Sequence, residues 1–158
     1  FSENSSDAVD FDFGSGFINN VNFKDIGNDA IDFSGSKVTV KNASFININD
    51  KVISAGENSD IKIFDINAIN SYAGIVVKDG SIVKAEKIVM NGVKFPFASL
   101  IKKNEYEMPR LFLKNINIED FSEKWLVDRK SKIWYDNLSV GKFSKNILPI
   151  FYEEKNYN

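Results

Sequence analysis

The chain has 158 residues, a formal net charge of −2, and neither cysteine nor histidine. This length suffices for one domain with a sizeable core, and the small charge gives no electrostatic basis for binding nucleic acid or an anionic membrane surface. Disulfide and thiolate chemistry are excluded, and no apolar run is long enough to span a bilayer.

Three short strands fill the segment 29–50, which is the best-formed copy of a repeat. Residues 30–33 and 38–40 alternate apolar with polar side chains, as strands with one buried face do, and 45–48 form a third strand. Turn residues stand between the strands, but no Asn-Gly hairpin signal does. We therefore expect each strand to pair with its equivalent in the next copy and not with its neighbour in sequence.

Copies of these strands recur along the chain at a constant spacing. Ala8, Ala30, Val52 and Gly74 each begin a similar strand, and each lies 22 positions after the previous one. A period of about 20–50 residues is typical of stacked repeats, and strand-type alternation favours a parallel β-helix over a helical solenoid. We predict an all-β fold, a single-stranded right-handed parallel β-helix of about six coils with three strands per coil.

The coils can be placed in chain order, and the stacking predicts a single interior stack for Ile31, Ile53 and Ile75. The fifth coil is longer than the others, and its extra residues are expected in a protruding loop at 102–109. An open end exposes strand edge and core, so the segment 143–152 is expected to fold over it as a C-terminal cap. The six coils are expected at 7–27, 29–50, 51–72, 73–94, 95–121 and 122–141.

The whole chain, 1–158, is interpreted as a single β-helix domain with coils over about 7–141. Because the sequence begins with Phe1 and not with methionine, we expect it to be part of a longer protein.

The repeat resembles the right-handed parallel β-helix superfamily, the pectate-lyase-like group, from about residue 7 to residue 140. In that group three strands per coil build three long parallel sheets, and asparagines often stack at one turn. Four asparagines share one repeat position here, and we interpret them as a structural amide ladder: Asn20, Asn42, Asn115 and Asn137. The resemblance implies a fold and no single activity, since this fold hosts lyases, hydrolases, epimerases, tailspikes and adhesins.

A cluster of aspartates is predicted on the N-terminal coils. Asp7 and Asp29 share one repeat position, Asp10 and Asp32 share another, and Asp12 lies one outward position beyond Asp10. Adjacent coils lie about 4.8 Å apart, so Asp10 and Asp32 should project outward as a close pair. Three roles are open: solvated and turn-capping side chains, a Ca²⁺ site built from all five carboxylates, or catalysis. The first role is preferred.

The segments 6–10 and 28–32 resemble the Asn-Thr-Asp and Asp-Asp motifs of polygalacturonase-type glycoside hydrolases. The resemblance implies catalytic roles for Asp10, Asp29 and Asp32, although the histidine and the Arg-x-Lys motif of that family are absent here. Lyases of this fold use Lys or Arg as a base, often with Ca²⁺, which makes Lys51 a further candidate. A salt bridge between Lys51 and Asp29 is the preferred interpretation.

Aromatic residues are concentrated in the last coils and the inserted loop. Trp125, Trp134, Tyr135 and Tyr106 could form a platform on which sugars stack. The preferred interpretation is that they plug the C-terminal end of the core, because such rings bury a large area at a low entropic cost.

Two functions remain open from the sequence. The preferred one is a non-catalytic β-helix module of a secreted or surface protein, in the extracellular space, that binds polysaccharide or another macromolecule on a sheet face. Its candidate binding residues are Asp10, Asp12 and Asp32. The alternative is a hydrolase or lyase that acts on acidic polysaccharide through Asp10, Asp29, Asp32 and Lys51. Beyond the candidate Ca²⁺, no cofactor is expected.

Overall fold

The computed structural model describes residues 1–143 and 146–152, and this part of the chain contains twelve strands and one short helix. In order they are β1 (Ser2–Asn4), β2 (Val9–Asp12), β3 (Ser15–Ile26), β4 (Ile31–Ser34), β5 (Lys37–Ile48), β6 (Lys51–Gly56), β7 (Asp60–Lys78), β8 (Ile82–Leu100), β9 (Arg110–Glu119), β10 (Trp125–Val127), β11 (Lys132–Tyr135), β12 (Leu138–Val140) and α1 (Leu148–Tyr152). The predicted all-β class is confirmed.

The strands form six stacked coils, and each complete coil turns through three faces. The described strands pair in parallel from coil to coil, and only β12 runs antiparallel, against β11. Face 1 consists of β2, β4, β6, residues 73–78, residues 95–100 and β10. Face 2 consists of residues 15–19, 37–41, 60–64, 82–86 and 110–114 with β11, and face 3 of residues 21–26, 43–48, 66–71, 88–93 and 116–119.

The core is a set of straight interior stacks, each built from equivalent positions of successive coils. Ile31, Ile53 and Ile75 are register partners on face 1, and all three are fully buried. The same stack continues into Phe97 and then Trp125, whose rings lie 5.4 Å apart between centroids. The predicted interior stack is therefore confirmed, and Trp125 ends it at the C-terminal coil.

The corners between faces 2 and 3 depend on left-handed backbone conformations. The predicted asparagine position has a positive φ in every coil: Asn20 (55°), Asn42 (52°), Asp65 (60°), Lys87 (57°), Asn115 (51°) and Asn137 (66°). Asparagine and aspartate tolerate this conformation better than most residues. The amide ladder itself is short, since Asn42 donates to Asn20 across 3.2 Å and the next two positions are Asp65 and Lys87.

A buried serine stack, which the sequence analysis missed, holds the corner between faces 1 and 2. The backbone N–H of Ser36 donates to Ser59 Oγ at 3.0 Å, and that of Ser59 donates to Ser81 Oγ at 3.1 Å. All three serines are at least 98% buried. Each hydroxyl thus satisfies a buried N–H of the preceding coil, which would otherwise be costly to desolvate.

Residues 146–152 of the C-terminal segment pack against the side of the solenoid, whereas the sequence predicts the segment over the open end. Ile147, Ile150 and Phe151 pack with Val76 and Ala98 in an apolar cluster separate from the main core. Val76 and Ala98 alternate with the interior residues of face 1 and so point outward. The apolar side chains on the outer surface of face 1 therefore form the surface against which the C-terminal segment packs. At the last coil, β12 pairs with β11.

The loop predicted at 102–109 lies between β8 and β9, as expected. Residues 144–145 of the expected cap and residues 153–158 lie outside the described residues. Within the described part of the chain, α1 has only five residues, and no helix has the length and apolar character needed to cross a bilayer.

Candidate functional site

The aspartates at the N-terminal coils are brought together on face 1 as predicted. Asp10 and Asp32 are direct register partners, and Asp12 lies on the same strand as Asp10, with its side chain exposed. Desolvation and the negative charges of Asp12, Asp32 and Asp7 raise the pKa of Asp10. Asp32 is half-buried, and its Oδ1 lies 3.8 Å from Lys78 Nζ.

The other two aspartates of the predicted cluster bind the backbone of the next coil. The N–H of Asp29 donates to Asp7 Oδ1 at 2.9 Å, and the N–H of Lys51 donates to Asp29 Oδ1 at 3.0 Å. This repeated contact satisfies the N–H of Lys51, which begins β6, and that of Asp29, two residues before β4, in the way that short polar side chains cap turns. The contacts fit the turn-capping part of the preferred role, but Asp29 is buried and not solvated.

Lys51 stacks on Asp29 as the sequence predicts, but the pair is buried and includes a third group. Lys51 Nζ lies 3.1 Å from Asp29 Oδ1 and 2.8 Å from Asp50 Oδ2, and each of the three residues is 4% exposed. Burial raises the pKa of Asp29 to about 7; Lys51 opposes this shift and Asp50 adds to it. Burial alone would lower the pKa of Lys51, but Asp29 and Asp50 raise it. The ammonium group of Lys51 therefore stays charged.

The C-terminal helix covers this buried ion triad. The ring of Tyr152 lies 5.5 Å from Lys51 Nζ and 4.3 Å from Lys102 Nζ. Tyr72 donates its hydroxyl to the carbonyl of Ile150 at 2.6 Å, which fixes the helix in place. The triad is consequently enclosed, and a polymer on the surface of face 1 would meet Tyr152 before it met Lys51.

No group of three or more acidic side chains is arranged to hold a metal ion in the residues that the structure describes. Lys51 and Lys78 lie where a cation would otherwise neutralise Asp29 and Asp32. The Ca²⁺ site at Asp7, Asp10, Asp12, Asp29 and Asp32 stays a prediction from the sequence.

A groove of about 580 Å³ lies on face 2, on a different side of the solenoid. Its wall contains Phe112 and Trp134, which are register partners on β9 and β11 and stack with centroids 4.7 Å apart and planes 10° apart. Polar and charged side chains line the rest of the groove over several coils: Thr39, Lys62, Lys84, Glu86, Lys114, Asp136 and Asn137. Its volume is in the range of roughly 300–1,000 Å³ that ligand sites have.

The predicted aromatic residues divide between the core and this groove. Trp125 and Tyr135 pack against the main core, so the plug interpretation describes them well. Trp134 points outward instead, because it alternates with the interior residues Ile133 and Tyr135 on β11. Tyr106 lies in the inserted loop, away from the groove lining. Phe112, the stacking partner, was missed, although its position 22 residues before Trp134 was a usable signal.

Comparison with known proteins finds no matching protein family, curated protein or solved structure. The side chains of face 1 and of the groove on face 2 therefore have to indicate the function, since no known relative does.

Proposed function

We propose that this chain is a non-catalytic β-helix module that binds a polysaccharide in the groove of face 2. The observation that supports this most directly is the outward stack of Trp134 on Phe112. Large rings on the solvent side of a strand expose apolar area, and the flat face of a sugar ring would cover it. The polar groups around the rings would bond the sugar hydroxyls, as in other ligand sites.

The rigidity of the fold also favours binding at this face. Apart from Asp136 and Asn137, which follow β11, the groove residues lie on β5, β7, β8, β9 and β11, which pair in one continuous sheet. Strands hold side chains more precisely than loops do, so little ordering entropy would be lost on binding. A long, straight sheet face also suits a linear polymer.

We place the binding surface on face 2 because the acidic surface of face 1 is short. The outward row that begins with Asp10 and Asp32 continues through Ser54 to Val76 and Ala98. Val76 and Ala98 are fully buried beneath the C-terminal segment. A polymer on this row would contact only the first coils, where Asp10 and Asp12 are negative and Lys78 lies 3.8 Å from the carboxylate of Asp32.

We further propose that the chain is secreted or displayed on the cell surface, as a module of the pectate-lyase-like type. The stacked coils support the resemblance to that group, and a module that binds extracellular polysaccharide would act outside the cell.

Trp134→Ala is the direct test. We expect it to weaken polysaccharide binding at least tenfold, measured by isothermal titration calorimetry and by retardation in gels cast with each polysaccharide, because the apolar face for the sugar is removed. Phe121→Ala is the matched control, since Phe121 is also an exposed ring, 43% accessible, but lies outside the groove. Equal binding by Trp134→Ala and wild type would contradict the proposal.

The alternative is a hydrolase or lyase acting on acidic polysaccharide, and the raised pKa values of Asp10 and Asp29 favour it. Asp29 is bonded to Lys51 and enclosed, which leaves Asp10 and Asp32 as the accessible carboxylates. Turnover of uronate polymers that disappears in Asp32→Ala would replace the binding module with this enzyme.

A further inference from the structure

We infer that the groove of face 2 recognises an acidic heteropolysaccharide lying along the solenoid axis, with a neutral sugar on the aromatic pair and an anionic group on Lys62 and Lys84. The inference rests on the proposed function and adds the class of polymer and the position of its charge.

Face 2 carries an excess of positive charge. Its outward positions hold seven basic and two acidic side chains, whereas the whole chain has 20 basic and 22 acidic residues. The basic ones are Lys37, Lys41, Lys62, Lys84, Arg110, Lys114 and Lys132, and the acidic ones are Asp60 and Glu86, with Asp136 just beyond the end of β11. Face 2 is thus positive on a molecule that is slightly negative, so it would attract and orient an anionic polymer.

Side chains of different character follow one another in the central row of face 2. The register places Thr39, Lys62, Lys84, Phe112 and Trp134 on consecutive coils, all within the groove. With about 4.8 Å between coils, the two lysines lie one to three coils from the aromatic pair. A chain along this row would therefore meet positive charge on Lys62 and Lys84 and then the stacked rings, while Phe64 of the neighbouring row lines the groove beside Lys62.

The two lysines of the groove repel each other. Lys62 and Lys84 are direct register partners, and like charges at such positions destabilise a sheet. Within the described part of the chain, no carboxylate lies within 4.0 Å of either ammonium group. An anionic group of the polymer between the two ammonium groups would relieve this repulsion. Because the free protein keeps the repulsion, its relief would favour the complex.

Two acidic residues lie in the same groove. Glu86 pairs in register with Lys114, one coil from the stacked rings, and Asp136 directly follows β11. These carboxylates can accept hydrogen bonds from sugar hydroxyls but would repel a polymer charged on every ring. The groove therefore favours a polymer in which charged and neutral sugars alternate.

The test uses purified chain and defined polymers. We expect hyaluronan, which alternates acidic and neutral sugars, to bind at least tenfold more tightly in calorimetry than carboxyl-reduced hyaluronan and more tightly than polygalacturonate. The double variant Lys62→Gln/Lys84→Gln should lose this preference for the acidic form while retaining the affinity for the reduced form. A double variant at exposed lysines outside face 2, Lys24→Gln/Lys142→Gln, is the control and should bind as wild type does.

The outcomes separate the inference from the proposed function. Equal affinity for acidic and reduced hyaluronan, with loss of both in Trp134→Ala, would overturn the inference and leave the polysaccharide module standing. Tighter binding of polygalacturonate than of hyaluronan would also overturn it. Binding of no polymer would overturn both. Retention of the acidic preference in Lys62→Gln/Lys84→Gln would show that the anionic group is bound elsewhere.

Discussion

Single residues in this chain were predictable where their position in the repeat determined their surroundings. The contact of Lys51 with Asp29 follows from the 22-residue spacing, and the structure has it at 3.1 Å. The involvement of Asp50 could not be foreseen, because its side chain turns inward at a corner and the corner geometry is not encoded in the strand alternation. Burial, which raises the pKa of Asp29, involves Tyr152, whose ring covers Lys51 although it lies 123 positions after Asp29 (152 − 29).

The raised pKa of Asp29 predicts an unusual pH dependence of stability. The pKa of an aspartate in the unfolded chain is near 3.8, whereas burial raises the pKa of folded Asp29 to about 7. The folded protein therefore binds a proton that the unfolded chain releases, so this group stabilises the fold below pH 4 and loses that contribution as the pH rises through 7. Lys51, Asp50, Asp32 and Tyr152 are the charged or titratable groups that surround it.

We expect the free energy of unfolding to fall between pH 5 and pH 8 by roughly 1–3 kcal/mol more in wild type than in Asp29→Asn, which has no proton to lose there. Urea denaturation at each pH provides the measurement, with Asp12→Asn as the control for an exposed aspartate. Parallel pH profiles for wild type and Asp29→Asn would show that Asp29 stays ionised in the folded state.

At the scale of the strands, the alternation of apolar and polar residues predicts which side chains point inward and which outward on each face. The interior stacks follow from that alternation and from the register between coils. What each outward row contacts was less predictable. The outward row of face 1 is partly apolar, and the structure covers it with α1, whereas the sequence analysis assigned that segment to the open end. Apolar residues in the C-terminal segment showed that it would be buried but not against which surface.

Gly74 marks a place where two coils approach unusually closely. A Cβ at this position would lie 2.3 Å from the carbonyl oxygen of Pro96 and 2.7 Å from the terminal methyl of Met90. The backbone contact cannot be relieved by a side-chain rotation, so Gly74→Ala should destabilise the fold by about 1–3 kcal/mol in urea denaturation. Gly16→Ala is the matched control, because its Cβ would meet only the ring of Phe11 at an ordinary 3.5 Å. Equal stabilities of the two variants would contradict this account of the coil contact.

The whole molecule is a stack in which each coil contacts mainly its neighbours, and this made the architecture accessible from one sequence. A 22-residue period, an interior apolar file and turn residues at fixed positions all agree with one fold. The groove was harder to foresee, because it is a property of several coils together. Thr39, Lys62 and Phe112 look unrelated along the chain, and only the register of face 2 places them in one row with Trp134.

The two tryptophans offer the most direct test of where the molecule binds its polymer. Trp134 lines the groove, whereas Trp125 packs against the main core. In a ¹⁵N NMR titration with hyaluronan oligosaccharides, we predict that the indole N–H resonance of Trp134 and the amides of residues 60–64, 82–86 and 110–114 shift together. The indole resonance of Trp125 and the amides of Asp10 and Asp32 should stay in place. Saturable shifts at Asp10 and Asp32 with an unchanged Trp134 would contradict the account, since the polymer would then lie on face 1.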